Sequence, residues 1–231
     1  DIEGLLEADR SLRIVAVSDD LESSLRTLEL ESMYPDRVIA CVGLHPWSIG
    51  EEPLHRLEAI VEVAERSGVR CIGEVGLDAR FVPQHTWSLQ TRILGRFAEL
   101  ALELGAFMNL HAPDAWRETL SILVEYGVER AVFHWYTGPL DLIEVIGGRG
   151  YMISINPALR VQEKHAKIAA TTPLDYIVFE SDAPYNYRGL KLNPLMVRET
   201  IEIVARTRGI SADDLIARAR RNTEKLVGLT K

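Results

Sequence analysis

Seven short apolar runs, rich in Val, Ile and Cys, alternate along the chain with longer segments of helical period. That alternation restricts the fold to a parallel sheet built from βα units. The runs are Arg13 to Ser18, Val38 to Leu44, Cys71 to Gly76, Phe107 to His111, Ala131 to His134, Tyr151 to Ile155 and Tyr176 to Ser181. Between them, Leu54, Leu57, Ile60, Val61 and Ala64 form one apolar stripe, and Leu89, Ile93, Phe97, Leu100, Ala101 and Leu104 another. Both are faces that a helix turns toward a core. Gly68, Gly105 and Gly127 each stand just before a strand, where a left-handed residue would end the preceding helix. Ser211 followed by Asp214 marks the start of the last helix.

Such regular alternation allows a closed barrel or a doubly wound open sheet. A doubly wound sheet usually carries a glycine-rich phosphate loop after its first strand, and neither G-x-G-x-x-G nor a P-loop occurs here. The expected fold is therefore α/β, a TIM-type (β/α) barrel, with residues 1–231 forming a single domain. Closing such a barrel takes eight strands. The eighth would come first, yet the chain opens on Asp1, without Met, in a helix-like segment. The first strand is accordingly expected to lie upstream, leaving the barrel incomplete at its N-terminus.

In parallel architectures the functional groups gather at the C-terminal ends of strands, where the variable loops converge. Those ends carry Asp19 and Asp20, His45, Glu74 and Asp78, His111, His134 and Asp182, and three of the chain's six histidines are among them. A single His at a strand end is commonly structural, but three accompanied by carboxylates on neighbouring strands point to a metal. Imidazole and carboxylate suit Zn, Mn, Fe or Mg, and the lack of a thiolate at any strand end argues against a closed structural zinc site. An open site implies catalysis.

The formal net charge of −8, from 26 basic and 34 acidic residues, disfavours wrapping of nucleic acid by a basic surface. It leaves room for a small site that grips a few phosphates beside bound cations. Cys41 and Cys71 lie far apart in sequence inside strand-like runs, so they are expected to be reduced core thiols in a cytoplasmic protein. No apolar run approaches the ~18 residues of a membrane span. A monomer is favoured.

Several short motifs in register carry a family resemblance. Gly43-Leu44-His45-Pro46, Ile72-Gly73-Glu74-Val75-Gly76-Leu77-Asp78, Leu110-His111, Phe133-His134 with Thr137-Gly138, Glu180-Ser181-Asp182-Ala183-Pro184-Tyr185, Asn193-Pro194 and Asn222-Thr223 follow one another through the chain. In order and spacing this set resembles the TatD family of metal-dependent deoxyribonucleases, which belong to the amidohydrolase-like metallohydrolase barrels. The resemblance implies two divalent metal ions, Mg, Mn or Zn, and a DNA or other phosphodiester substrate, with 3′ exonuclease action among the modes it suggests. It implies metal ligation by Glu74, His111, His134 and Asp182, with Glu74 shared between the ions and Asp182 also serving the attacking water. Glu74 and Asp182 are thus the catalytic pair. His45 is expected at the substrate phosphate. Arg80 and Tyr185 are read as further substrate contacts, with Arg188, Trp47, Trp135, Tyr136 and Tyr187 in loops at the same end. Asn193 and Asn222 are read as structural.

The chain departs from the family at one point: it has no His-x-His, the pair that the family carries at the end of its first strand. Those ligands are expected on the same upstream strand that would close the barrel. Two alternatives remain open. One is hydrolysis of another ester or amide on the same metal platform, such as deacylation of a mischarged tRNA. The other is a barrel whose catalysis is impaired, serving as a binding partner, should the pair be truly lacking.

Overall fold

The computed structural model describes residues 2–50 and 52–229; Asp1, with which the single-domain span begins, and the last two residues of that span lie outside it. Seven strands form the main sheet: β1 (Ile14–Ala16), β2 (Val38–Val42), β3 (Cys71–Gly76), β4 (Phe107–His111), β5 (Ala131–Phe133), β6 (Met152–Ile155) and β7 (Ile177–Phe179). Each falls inside its expected run. The strands neighbour one another in chain order, and every pairing is parallel. A doubly wound sheet reverses direction at a switch point; this order never reverses, so the sheet curls one way as a TIM-type barrel does. Among the described residues no ladder joins β7 to β1.

The helices wrap the outside: α1 (Ile2–Ala8), α2 (Leu21–Met33), α3 (Pro53–Ser67), α4 (Trp87–Leu104), α5 (Trp116–Glu125), α6 (Leu142–Gly148), α7 (Glu163–Thr171), α8 (Met196–Arg208) and α9 (Ala212–Leu226). The apolar stripes of α3 and α4 bury Leu57, Ile60, Val61 and Ala64, and Ile93, Phe97, Leu100 and Ala101, against outward-facing strand residues such as Val42, Ile72, Met108 and Phe133. Burying each large apolar side chain contributes about 1.5–3 kcal/mol. Gly68 and Gly105 end α3 and α4 at φ of +60° and +61°, and Ser211 caps α9 by accepting the Asp214 N–H.

Inside the curl lies a second cluster, of Cys41, Cys71, Phe107, Val132, Met152 and Val178, closed by Leu226 and Val227 at the end of α9. Strands covered on both faces read as nearly continuous apolar runs, which is why they stood out in the sequence. β3 is buried at all six positions.

Two features differ from expectation. Cys41 and Cys71 are joined in a disulfide and are not free thiols. The parallel register sets Cys41 directly opposite Cys71, with 4.4 Å between their Cα atoms, and cross-strand register is invisible in a spacing of 30 residues. The loop after β7 also folds a small antiparallel hairpin, β8 (Asn186–Tyr187) with β9 (Leu190–Lys191). Its turn residues Arg188 and Gly189 take φ of +50° and +84°, as a two-residue hairpin turn requires.

Candidate metal centre

The strand ends deliver their polar side chains to one cavity of about 1070 Å³ at the C-terminal mouth of the sheet. Glu74 rises from β3 and His111 closes β4, while His134 follows β5 by one residue. His45 stands three residues past β2, and Asp182 three past β7. All five line the cavity.

Glu74 Oε1 is the focus. His111 Nδ1 lies 3.0 Å from it, His45 Nε2 3.4 Å and His134 Nε2 3.9 Å, and His134 Nε2 is 3.3 Å from Asp182 Oδ1. His45, Glu74 and His111 form the tightest group able to hold an ion, with ligand atoms all within 4.8 Å of one another. His45 was expected only at the substrate, but it lies as near Glu74 as the expected ligands. Its Nδ1 also accepts the Trp47 N–H and so caps the turn at Pro46–Ser48.

Two of the three imidazoles, His111 and His134, are each backed by a second carboxylate. His111 Nε2 is 2.9 Å from Asp78 Oδ2, and His134 Nδ1 is 2.8 Å from Glu180 Oε2. Asp78 is fixed in turn by Trp47 Nε1 at 2.7 Å and by the N–H groups of Arg80 and Phe81. Glu180 accepts from Trp135 N and Asn156 Nδ2. One ring nitrogen held by a carboxylate and the other aimed into a cavity is how ligating histidines are oriented. The donors present, imidazole nitrogen and carboxylate oxygen without thiolate, fit a divalent ion.

The electrostatics of the protein without an ion show what an ion would relieve. Burial would raise the Glu74 carboxyl, but the imidazoles of His134, His111 and His45 outweigh it and hold Glu74 well below its usual value. Burial would lower His134, but Glu180, Glu74 and Asp182 drive it well above an ordinary histidine. His111 is likewise raised, against burial, by Asp78 and Glu74. Asp182 is pushed up to about 6, first by burial and then by Glu180 and Glu74, with His134 opposing. Several acids and imidazoles share one desolvated pocket, which is where functional groups collect.

Arg80 lines the cavity and makes two hydrogen bonds to Asp114, at 2.6 and 2.7 Å. Tyr185 also lines it and is half exposed, 6.1 Å from the Trp135 ring. Arg188 is tied to Val161 O, outside the cavity lining. Tyr136 is fully buried against Trp116 and does not reach the mouth. Asn222 donates to Leu174 O and Ile177 O, the structural part expected of it. Three side chains gain parts the sequence did not give them. Asp78 and Glu180 orient the imidazoles. Asp19 lines the cavity with its carboxyl raised by burial and by Glu74.

A parallel α/β barrel with a His and carboxylate cluster at its C-terminal mouth defines the class of metal-dependent hydrolases. The family model described as "TatD related DNase" matches residues 5–228, and the chain belongs to that family. It is 28% identical to the human deoxyribonuclease TATDN3 over 98% of this chain and 88% of that protein. It is also 28% identical to the Escherichia coli K12 metal-dependent hydrolase YcfH, over 87% of this chain and 77% of that one. Among solved structures, the TatD homologue YJJV of Escherichia coli superposes with a TM-score of 0.83 at 24% identity, covering 93% of this chain and 85% of the other. An amidohydrolase from Saccharomyces cerevisiae superposes at 0.79 and 14% identity, over 98% and 92%. The chain is a hydrolase of this family.

Proposed function

We propose that this hydrolase cleaves phosphodiester bonds in DNA, using two divalent ions held by Glu74, His111, His134 and Asp182. The observation that carries the reading is the convergence of three imidazoles on Glu74 Oε1, with Asp182 beside His134. The kinship with a protein described as a deoxyribonuclease supports the substrate class.

A phosphodiester resists attack because its anionic oxygens repel a nucleophile. Bound divalent ions would neutralise those oxygens and bring the attacking water toward a pKa of ~7. Asp182, 3.3 Å from His134 Nε2, would hold that water and accept its proton as the new P–O bond forms and the bond to the sugar oxygen breaks. His45 and Arg80 face the same cavity and would contact the phosphate. Trp47, Phe81 and Tyr185 present exposed rings around the mouth, a sequence-tolerant grip for the bases of a single strand or frayed end. The apolar cluster running from β2 to α9 supports treating 1–231 as one working domain, and no described helix is long and apolar enough to cross a membrane.

Purified protein supplied with Mn or Mg is expected to hydrolyse single-stranded DNA, with chelator abolishing the reaction. Asp182→Asn should lower kcat at least about 10²-fold, since it removes the proton acceptor. Hydrolysis that survives chelation, or an Asp182→Asn enzyme as fast as its parent, would refute the reading. A parallel assay on an aminoacyl-ester substrate separates it from ester hydrolysis on the same platform.

A further inference from the structure

Beside the metal cavity lies a second concavity of about 520 Å³, and Trp116 lines both. The Arg80–Asp114 pair links the two linings, with Arg80 in the first cavity and Asp114 in the second. Helix α7 connects the two. It starts just after Gln162, whose side chain accepts the Trp135 indole N–H at the rim of the metal cavity, and it carries Lys164 and Lys167 into the second. Residues at i and i+3 share a helix face.

Several arginines of this acidic chain are tied to carboxylates. In the second concavity, Arg117 is held by Asp141, and Asp114 is already engaged by Arg80. Lys164 and Lys167 are exposed; the Lys164 charge helps lower the Asp114 carboxyl, and Glu118 is the other acid lining the groove. Two exposed ammonium groups one helical turn apart, beside the proposed phosphodiester site, fit an occupant with regularly repeated anions.

We propose that this groove is a distal binding track for a single nucleic-acid strand. Lys164 and Lys167 engage backbone phosphates of nucleotides beyond the one being cleaved, after the strand passes over Trp116. This deepens the proposed function and rests on it for the position of the scissile bond. A protein of net charge −8 attracts a polyanion poorly overall, so cations placed along the strand's path would contribute to its affinity.

The test uses the parent protein and a Lys164→Ala/Lys167→Ala variant, with a dodecathymidylate, a dinucleotide and bis(p-nitrophenyl) phosphate as substrates in Mn. The track predicts that KM for the dodecamer rises about tenfold and that the slope of log affinity against log salt becomes shallower by about 1.4, at ~0.7 per lost phosphate contact. Values of kcat, and cleavage of the two short substrates, stay unchanged. A dodecamer KM equal to that of the parent would overturn the proposal. Should the parent cleave none of the three, the nuclease reading fails, and fluorescence anisotropy of labelled dodecamer decides the track alone. Binding tenfold weaker in the variant supports it; equal or absent binding overturns it.

Discussion

Glu180 spends both carboxylate oxygens on the metal centre without facing a metal: Oε2 holds His134 Nδ1, while Oε1 accepts Trp135 N and Asn156 Nδ2. Replacing it by Gln keeps an acceptor for Trp135 but removes the charge that makes His134 a basic, correctly turned ligand. Metal affinity measured by calorimetry is expected to fall about 10- to 100-fold for Glu180→Gln, with an unchanged circular dichroism spectrum. An unaltered affinity would mean His134 is oriented by packing alone. The candidate ligands are more legible in the sequence than their supports. Glu74 lies in the second half of β3, His111 closes β4 and His134 follows β5, so order along the chain is enough to single them out as candidates. Glu180 begins the Glu180–Tyr185 motif and Asp78 stands just past β3, but which ring nitrogen each meets depends on the curl of the sheet. His45 was seen as a phosphate contact, and its closeness to Glu74 arises from the packing of β2 against β3, where Gly43 leaves no room for a Cβ beside Gly73.

At the level of elements, α7 is docked through a fully buried imidazole. His165 Nε2 accepts the Asn156 N–H just past β6, and Nδ1 lies 3.1 Å from Tyr136 O. Protonation would put a second N–H against the Asn156 N–H, and burial pushes His165 down to about 4. The neutral form is therefore favoured in the folded protein. An unfolded chain takes up a proton near pH 6.5, so stability from this group is present above that pH and drains away as pH falls toward 4. Between pH 7 and 5 the parent should lose about 2 kcal/mol in urea unfolding beyond any loss shown by His165→Gln. Parallel losses in both proteins would show that His165 protonates without consequence for docking. The seven main strands are legible as nearly continuous apolar runs, and α3 and α4 by apolar stripes of helical period. The hairpin β8–β9 was not, since two residues per strand carry no period and only Gly189 hints at the turn. The Cys41–Cys71 bond escaped for a related reason, because it expresses register between strands and not any pattern within one.

On the scale of the molecule, a rigid two-sided core carries a chemically active rim, and the two need not share one stability. An isolated two-stranded hairpin is marginal in water. β8–β9 is held to the body by the Gln162 contact to the Tyr187 hydroxyl, the Arg188 bond to Val161 O and the packing of Tyr187 on Trp135 at 4.9 Å. The same stretch begins at Asp182, which sits at φ of +54°, and is folded back by the Leu192 N–H on Tyr185 O. Segments with few buried contacts open at a lower free-energy cost than the core. Warming should thus release the hairpin first and let Asp182 drift from His134 while the strands still hold. Catalysis is expected to fail several degrees below the midpoint seen by far-ultraviolet ellipticity, reversibly on cooling; superimposable curves would show that the hairpin melts with the barrel. The protein would then carry a thermal fuse at its mouth, silenced by heat before it is unfolded by it.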